Sequence, residues 1–386
     1  MHIGFCGPAT LSMLQESIPE TIAIKGYPFR GSSILINQYI QMGHTVTLFT
    51  TSPELDSPRE YSGSKLKVVA VPTRSRGPKR AFDFFAAERL ELRRFIEKER
   101  PDVLHANWTY EFGLAARQSS IPSLLTVHDW GPSIARQNRH AYWYLRCLMQ
   151  IRTLLYPGAL SAPSAYLADK VSALYRKPCS VIPNGIEIKD STPRLDSEPL
   201  SELRVGMLNA GDSPLKNVKT ALRAWAHYYA ATRSGSLIVA GPGFEEGSDM
   251  QKWAKANGFE KGVEFVGSVR PQDVPTWLAS LDIFLHPSLE ESFGMVLIEA
   301  MAAGIPVVAG KESGAVPAVT GGHAHLIDVS APQAISRAIA LLGEDQSLRK
   351  TMSTGGLVWS ANFDVKATAA MYLDVFSGLI GNRSKN

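Results

Sequence analysis

The segment from Leu281 to Ala309 constrains the fold more than any other part of this 386-residue chain. Leu281-Asp-Ile-Phe-Leu-His-Pro-Ser288 is an apolar run of strand length, closed by a proline and a serine suited to capping. Glu290-Glu-Ser-Phe-Gly-Met-Val-Leu-Ile-Glu299 then opens a helix-forming run that stops at Gly304, and Pro306 leads into a second apolar run, Val307–Ala309. Strand, acidic turn, helix and strand make a βαβ unit, whose strands are parallel because the connection is a helical crossover. Open parallel sheets bind ligands beyond the carboxyl ends of their strands, and Glu291 falls there. If the helix carries both Glu291 and Glu299, they lie ~12 Å apart along it and ~80° apart around it. Such a pair does not grip one atom. It suits the two ends of an elongated ligand, with the helix N-terminus meeting a phosphate near Glu291, and a nucleotide-sugar has that shape. The plain alternative is two solvated glutamates on an amphipathic helix.

Alternation of strands and helices extends along the whole chain. His2–Cys6, Thr45–Thr50, Leu66–Val71, Val103–Ala106, Ser123–Val127, Ala159–Ala162 and Ser180–Ile182 read as strands. Helices are expected at Ser32–Met42, Glu88–Glu99 and Tyr142–Leu155. A linker-like stretch rich in Gly, Pro and charge, Asn184–Pro199, separates these from a second set, with strands at Arg204–Leu208, Ser236–Ala240 and Glu264–Val266. Helices Val218–Ala231, Asp249–Asn257, Gln272–Ala279, Ala334–Leu342 and Asp364–Leu379 complete that half. Because single cores seldom grow past ~250–300 residues, two domains are expected, 1–190 and 191–363, each a doubly wound parallel sheet.

Composition narrows the class. With 45% hydrophobic and 20% charged residues, the chain reads as an ordinary globular enzyme. It contains no apolar run of membrane-spanning length, and its start, Met-His-Ile-Gly-Phe-Cys, lacks the pattern of a signal peptide. Cys6, Cys147 and Cys179 are odd in number and without metal-ligand spacing, which points to reduced thiols and a cytoplasmic location. Residues 1–190 hold 23 Lys+Arg against 16 Asp+Glu, so the first half carries the basic surface. Arg74-Ser-Arg-Gly-Pro-Lys-Arg80 with Phe82, Phe84 and Phe85 suggests peripheral contact with the cytoplasmic face of a membrane through residues 74–100, although interspersed acids make much of Glu88–Arg100 a solvated helix face. No nucleic-acid-binding motif accompanies the charge.

The register of Pro287-Ser288, Glu291, Phe293-Gly294, Glu299-Ala-Met-Ala-x-Gly304 and Pro306-Val307 resembles the signature of the family 4 retaining glycosyltransferases, also called glycosyl transferases group 1. The resemblance is strong from Val181 to Ile327 and looser from His2 to Ser164. It implies the GT-B fold, two Rossmann-like doubly wound domains facing a central cleft, with helix 364–386 returning to complete the first, acceptor-side domain. It further implies a nucleotide-diphosphate-sugar donor in the second domain and a glycan, lipid-linked or small-molecule acceptor, in bacterial polysaccharide or glycoconjugate synthesis.

Site residues follow from the same register. Glu291 would hold hydroxyls of the donor sugar, and Glu299 the ribose. Phe293, Gly294 and Met295 would offer backbone amides near the diphosphate, and Arg270 lies in the segment that meets the nucleobase. Lys216 matches a cation expected at the leaving phosphate. The Gly-Arg that the family carries just upstream is missing, since Asn209 to Ser213 contains no base. Either Lys216 suffices, or Arg30 or another cation contributes, or the donor is held differently. Gly31 stands before the first long helix, where close backbone approach and the helix N-terminus favour an anion, or where Ser32 simply caps the helix. His128, in Thr126-Val-His-Asp129, would hydrogen-bond a sugar hydroxyl across the cleft, while His105 reads as a core histidine. Neither glutamate is expected to be a nucleophile, because a glycosidase pair spans ~5–10 Å across the scissile bond. With no Asp-x-Asp in the chain, no metal and no cofactor are expected, and Lys216 and the helix N-terminus must hold the diphosphate. The alternatives are an epimerase or phosphorylase on the same fold, and a non-catalytic nucleotide-sugar-binding protein.

Overall fold

Residues 1–75, 77–188, 202–209 and 211–383 are described by a computed structural model. Its first sheet is built from β1 (His2–Cys6), β2 (Thr45–Ser52), β3 (Arg59–Ser62), β4 (Leu66–Pro72), β5 (Val103–Asn107), β6 (Ser123–Thr126), β7 (Ala159–Ala162) and β8 (Ser180–Val181). The spatial order is β3-β4-β2-β1-β5-β6-β7-β8, and every pair is parallel except β3 with β4. Alternate residues feed two cores. Ile3, Phe5, Val46, Leu48, Val68 and Ala70 enter one, while Cys6, Phe49, Val69, Leu104, Ala106 and Leu125 enter the other. Burial on both faces is why these strands read as nearly continuous apolar runs.

The second sheet contains β9 (Arg204–Leu208), β10 (Ser236–Ala240), β11 (Val263–Gly267), β12 (Ile283–His286), β13 (Val307–Gly310) and β14 (His325–Ile327), in the order β11-β10-β9-β12-β13-β14 with all pairs parallel. From β9 the chain winds one way through β10 and β11 and then the other way through β12 to β14. The gap between β9 and β12 is therefore a topological switch point, where loops diverge and leave a crevice.

Two compact units result, Met1–Glu187 with the chain from Asp364 onward, and Ile188–Phe363. The boundary expected at 190 lies outside the described residues. Helix Val365–Arg383 packs on the first sheet through Val365, Ala369, Tyr372 and Phe376, a stripe at helical spacing. Tyr372, Phe376, Phe5 and Tyr39 surround His105, which bonds Thr126 Oγ1 at 2.8 Å and Tyr39 Oη at 3.3 Å. Burial, helped by nearby His128, pushes the His105 pKa down to about 3, so it is a neutral core histidine. Among the described residues no helix is long and apolar enough to cross a membrane.

Candidate active site

The loops after β9 and β12 meet at the switch point of the second sheet. After β9 a 3-10 turn, Pro214–Lys216, ends on Asn217 in the left-handed region, φ 54°. The Asn217 side chain donates to the carbonyls of Pro287 (3.2 Å) and Val329 (2.8 Å), and Leu289 N–H donates to the Leu215 carbonyl (2.8 Å). The loop after β13 holds the other side: Glu291 N–H donates to the Ser313 carbonyl and Ala315 N–H to the Glu291 carbonyl. Backbone ties from both directions thus fix where Glu291 and Lys216 project.

Lys216 Nζ donates to Glu291 Oε1 at 2.6 Å, and His286 Nε2 stands 3.1 Å from the same oxygen. Both charged side chains are largely buried, Lys216 at 24% exposure and Glu291 at 12%. Burial alone would raise the Glu291 pKa, but Lys216 and His286 outweigh it and hold the carboxyl far below the ordinary range. Glu291 is consequently an anion at physiological pH, an acceptor of hydrogen bonds and no general acid.

The geometry of the pair departs from the helical expectation. Helix Met295–Ala302 begins four residues after Glu291, so the two glutamates do not share a helix. The reason is Gly294, at φ 85°, a backbone state that a β-carbon disfavours and that breaks the chain direction between acidic turn and helix. Gly294 is also the N-cap, and without a side chain it makes no cap bond to the first turn, which starts at Met295. Phe293 is buried edge-on against Phe363, so only its backbone is available to a ligand. Glu299 lies in the second turn of the helix, partly exposed. Arg270 is on an exposed turn after β11, its Nε donating to Asp273 at 2.5 Å, and it is not drawn to Glu291.

Sequence reading passed over two groups here. His286 ends the buried strand β12 and orients Glu291; the pattern that singled out His128, a histidine closing an apolar strand, was present at His286 too. Asn209 stands where the expected base is missing. It is buried, and neither its amide nitrogen nor its amide oxygen has a hydrogen-bond partner; Ser288 Oγ and His286 Nδ1, nearby in the chain to Glu291, are likewise unpartnered. Buried polar groups are normally paired, so these atoms mark unspent capacity for a polar ligand. Gly241 is explained by the same corner: a β-carbon there would meet the Asn209 carbonyl at 1.9 Å.

The first unit carries the remaining candidates. Helix Arg30–Gln41 starts at Arg30, with Phe29 as its uncapped N-cap, two residues earlier than expected, so Gly31 lies within the first turn. Ser32 is not the cap, because its hydroxyl accepts from Asn107 Nδ2 at 2.9 Å. His128 follows β6, buried against the edge of Phe29 at 5.1 Å between ring centroids, with Nε2 unpartnered. Burial lowers its pKa to about 3, which makes it a neutral imidazole and a poor general base. Asp129 accepts from Tyr110 Oη (2.9 Å) and Gln150 Nε2 (3.1 Å). Burial raises its pKa even against those bonds. Among the described residues no cluster of three or more His, Cys, Asp or Glu is placed to hold a metal ion.

Comparison with known proteins agrees on both halves. Residues 208–358 match the model of the glycosyl transferases group 1, and residues 34–190 that of glycosyltransferase family 4. A phosphatidyl-myo-inositol mannosyltransferase of Mycobacterium leprae is 25% identical over 352 residues, 88% of this chain and 89% of that protein. Among solved structures, a sucrose-phosphate synthase from Thermosynechococcus elongatus superimposes with a TM-score of 0.79 at 18% identity, covering 99% of this chain and all of the other. HepE of Anabaena, solved with UDP-glucose, gives a TM-score of 0.70 at 19% identity over 98% of this chain and all of that one.

Proposed function

The chain belongs to family 4 of the glycosyltransferases and has the GT-B fold, and from that premise we propose that it moves a sugar, with retained anomeric configuration, from a nucleotide-diphosphate donor to a hydroxyl of a glycan, glycolipid or small molecule. The observation that carries this reading is the Lys216–Glu291 pair at the switch point, beside a helix that begins on an uncapped glycine. An anionic Glu291 accepts from hydroxyls of the donor sugar, Lys216 neutralises charge on the departing phosphate, and the amides of Gly294 and Met295 bind its oxygens. Glu299 takes the ribose and Arg270 the base end. Asn209 fills part of the missing arginine's place with a neutral donor. Lys216 and the helix N-terminus hold the diphosphate without a metal. His128 gives a neutral hydrogen bond to a sugar hydroxyl. HepE, solved with UDP-glucose, supports a uridine donor as the first to try.

The test is product analysis with UDP- and GDP-sugars over a panel of lipid and glycan acceptors. Nucleoside diphosphate release matched by a glycoside of retained configuration, insensitive to chelator, is the expected outcome. A donor that is bound but never consumed would identify a sensor, and an epimerised donor would identify an isomerase.

We place the reaction at the cytoplasmic face of a membrane. The expected basic patch is only partly available for this: Arg74 is tied to Asp83 and Glu88, and Phe85 is buried. A stronger apolar face lies on helix Ala141–Leu155, where Tyr144, Leu148 and Leu155 are exposed and fall within about 40° of one another. Phe82, 73% exposed, sits on the neighbouring helix Gly77–Phe82, and Arg136, Arg139 and Arg152 are exposed around the same elements. Wild-type protein is expected to co-sediment with anionic phosphatidylglycerol vesicles and not with neutral phosphatidylcholine ones. Leu148→Glu/Leu155→Glu should abolish binding, and equal sedimentation of the variant would refute the contact.

A further inference from the structure

The first unit contains a cavity of about 300 Å³ beside β5, walled by Tyr27, Trp108, Tyr142, Trp143 and Phe85 and floored by charged side chains. It is joined to His128 through rings: Tyr27 packs on Trp108 (5.2 Å), Trp108 on Phe29 (6.0 Å), and Phe29 on His128 (5.1 Å). Trp108 holds φ 80°, a state that bulky residues rarely adopt, and this strain directs its indole into the wall just past the carboxyl end of β5.

Among the described residues, the charges in the lining balance. Arg146 Nη1 lies 3.3 Å from Glu111 Oε2, and its guanidinium stacks 3.7 Å over Tyr110. Glu88, buried, is matched from behind by Arg74 at 2.7 Å, which Asp83 compensates in turn. Arg80, over Phe85, completes two arginines against two glutamates in the lining itself. Thr73 Oγ1, Arg80 Nε and Arg146 Nε are buried without a hydrogen-bond partner.

We infer that this cavity is the acceptor site of the proposed transfer and that it selects an uncharged sugar or polyol over a phosphorylated one. The inference rests on the glycosyl-transfer reading. Aromatic walls stack on the C–H faces of a ring, and the carboxylate–guanidinium pair offers an acceptor and donors side by side to neighbouring hydroxyls. A phosphate dianion would lose its water to a lining whose described arginines and glutamates carry no net positive charge, and would face Glu88 and Glu111.

Saturation-transfer NMR on the full chain with paired probes tests this: glucose and glucose 6-phosphate, mannose and mannose 6-phosphate, myo-inositol and its 3-phosphate. At least one neutral member should bind, and every phosphorylated member at least tenfold more weakly than its partner. A phosphorylated probe that binds as tightly as its neutral partner, or no binding by any neutral probe, overturns the inference. Glu111→Gln leaves Arg146 uncompensated and should shrink the preference at least tenfold. Trp143→Ala should weaken neutral probes at least fivefold and leave the preference ratio unchanged; an altered ratio with unaltered neutral binding counts against the site. Turnover of a UDP-sugar on any acceptor, measured alongside, separates this inference from the glycosyl-transfer reading. Turnover together with a preferred phosphorylated acceptor sinks only the former, and no turnover sinks the latter.

Discussion

Replacing Lys216 by methionine is expected to lower kcat about 10²- to 10³-fold, the usual cost of one preorganised group that stabilises developing charge. Methionine keeps most of the stem's length and apolar bulk, so the loss is mainly electrostatic. The pH profile carries the sharper signature. In the wild-type protein, Lys216 and His286 together overcome the burial that would raise the Glu291 pKa. Without Lys216 that balance shifts, and the carboxyl rises toward its ordinary value. Activity of the variant should therefore fall on the acid side, where the wild-type profile stays flat. The stability linkage has the same sign. A depressed carboxyl stabilises the fold above its unfolded pKa, near 4.5, and the contribution fades as pH falls below that. Lys216→Met should lose it throughout. Steady-state rates from pH 4 to 8 and thermal unfolding continued down to about pH 2 measure both, and a variant with wild-type kcat would remove Lys216 from the chemistry.

Glu291→Ala is expected to abolish detectable transfer and to destabilise the second unit by about 3 kcal/mol, because removing one member of a buried pair strands the other. Lys216 retains about a quarter of its exposure, which keeps the cost at the low end of that range. Glu291→Gln separates the two effects. The amide oxygen still accepts from Lys216 Nζ, so Glu291→Gln should destabilise less than Glu291→Ala, while transfer falls by about 10²-fold because the charge that grips the donor hydroxyls is gone. Thermal shift beside single-turnover rates makes the comparison. Full activity in Glu291→Gln would reduce Glu291 to a structural partner of Lys216.

Reading of the chain succeeded where a local pattern carries global meaning. Both sheets follow from apolar runs and turn residues, and the second domain's signature segment was legible at residue level. Short or atypical elements escaped. Helices Glu111–Arg117 and Gly131–Asn138 are too brief for a clear period, and β3 pairs through Tyr61 alone on its buried side. Gln346–Ser360 holds Gly355 and Gly356, which read against a helix, yet both pack closely there: a β-carbon on Gly355 would meet His323 at 2.4 Å and one on Gly356 would meet Met301 at 3.2 Å. Tertiary contact overrode propensity. Helix Ala165–Tyr175 was available in principle, since Ser164 caps it through Leu167 N–H.

The order of residues alone was enough to set the βαβ unit around Glu291, the two parallel sheets and the family, because periodicity, glycine stops and buried runs are local properties. It could not decide what touches Glu291. Lys216 and His286 reach it from a turn 75 residues away and from a strand end five residues back, and Ser313 and Ala315 pin its backbone from beyond β13. Nor could it reveal that Arg74 and Arg146 are matched by Glu88 and Glu111 beside an aromatic cavity. Charge can be counted along a chain, but its neutralisation depends on distances that only packing sets.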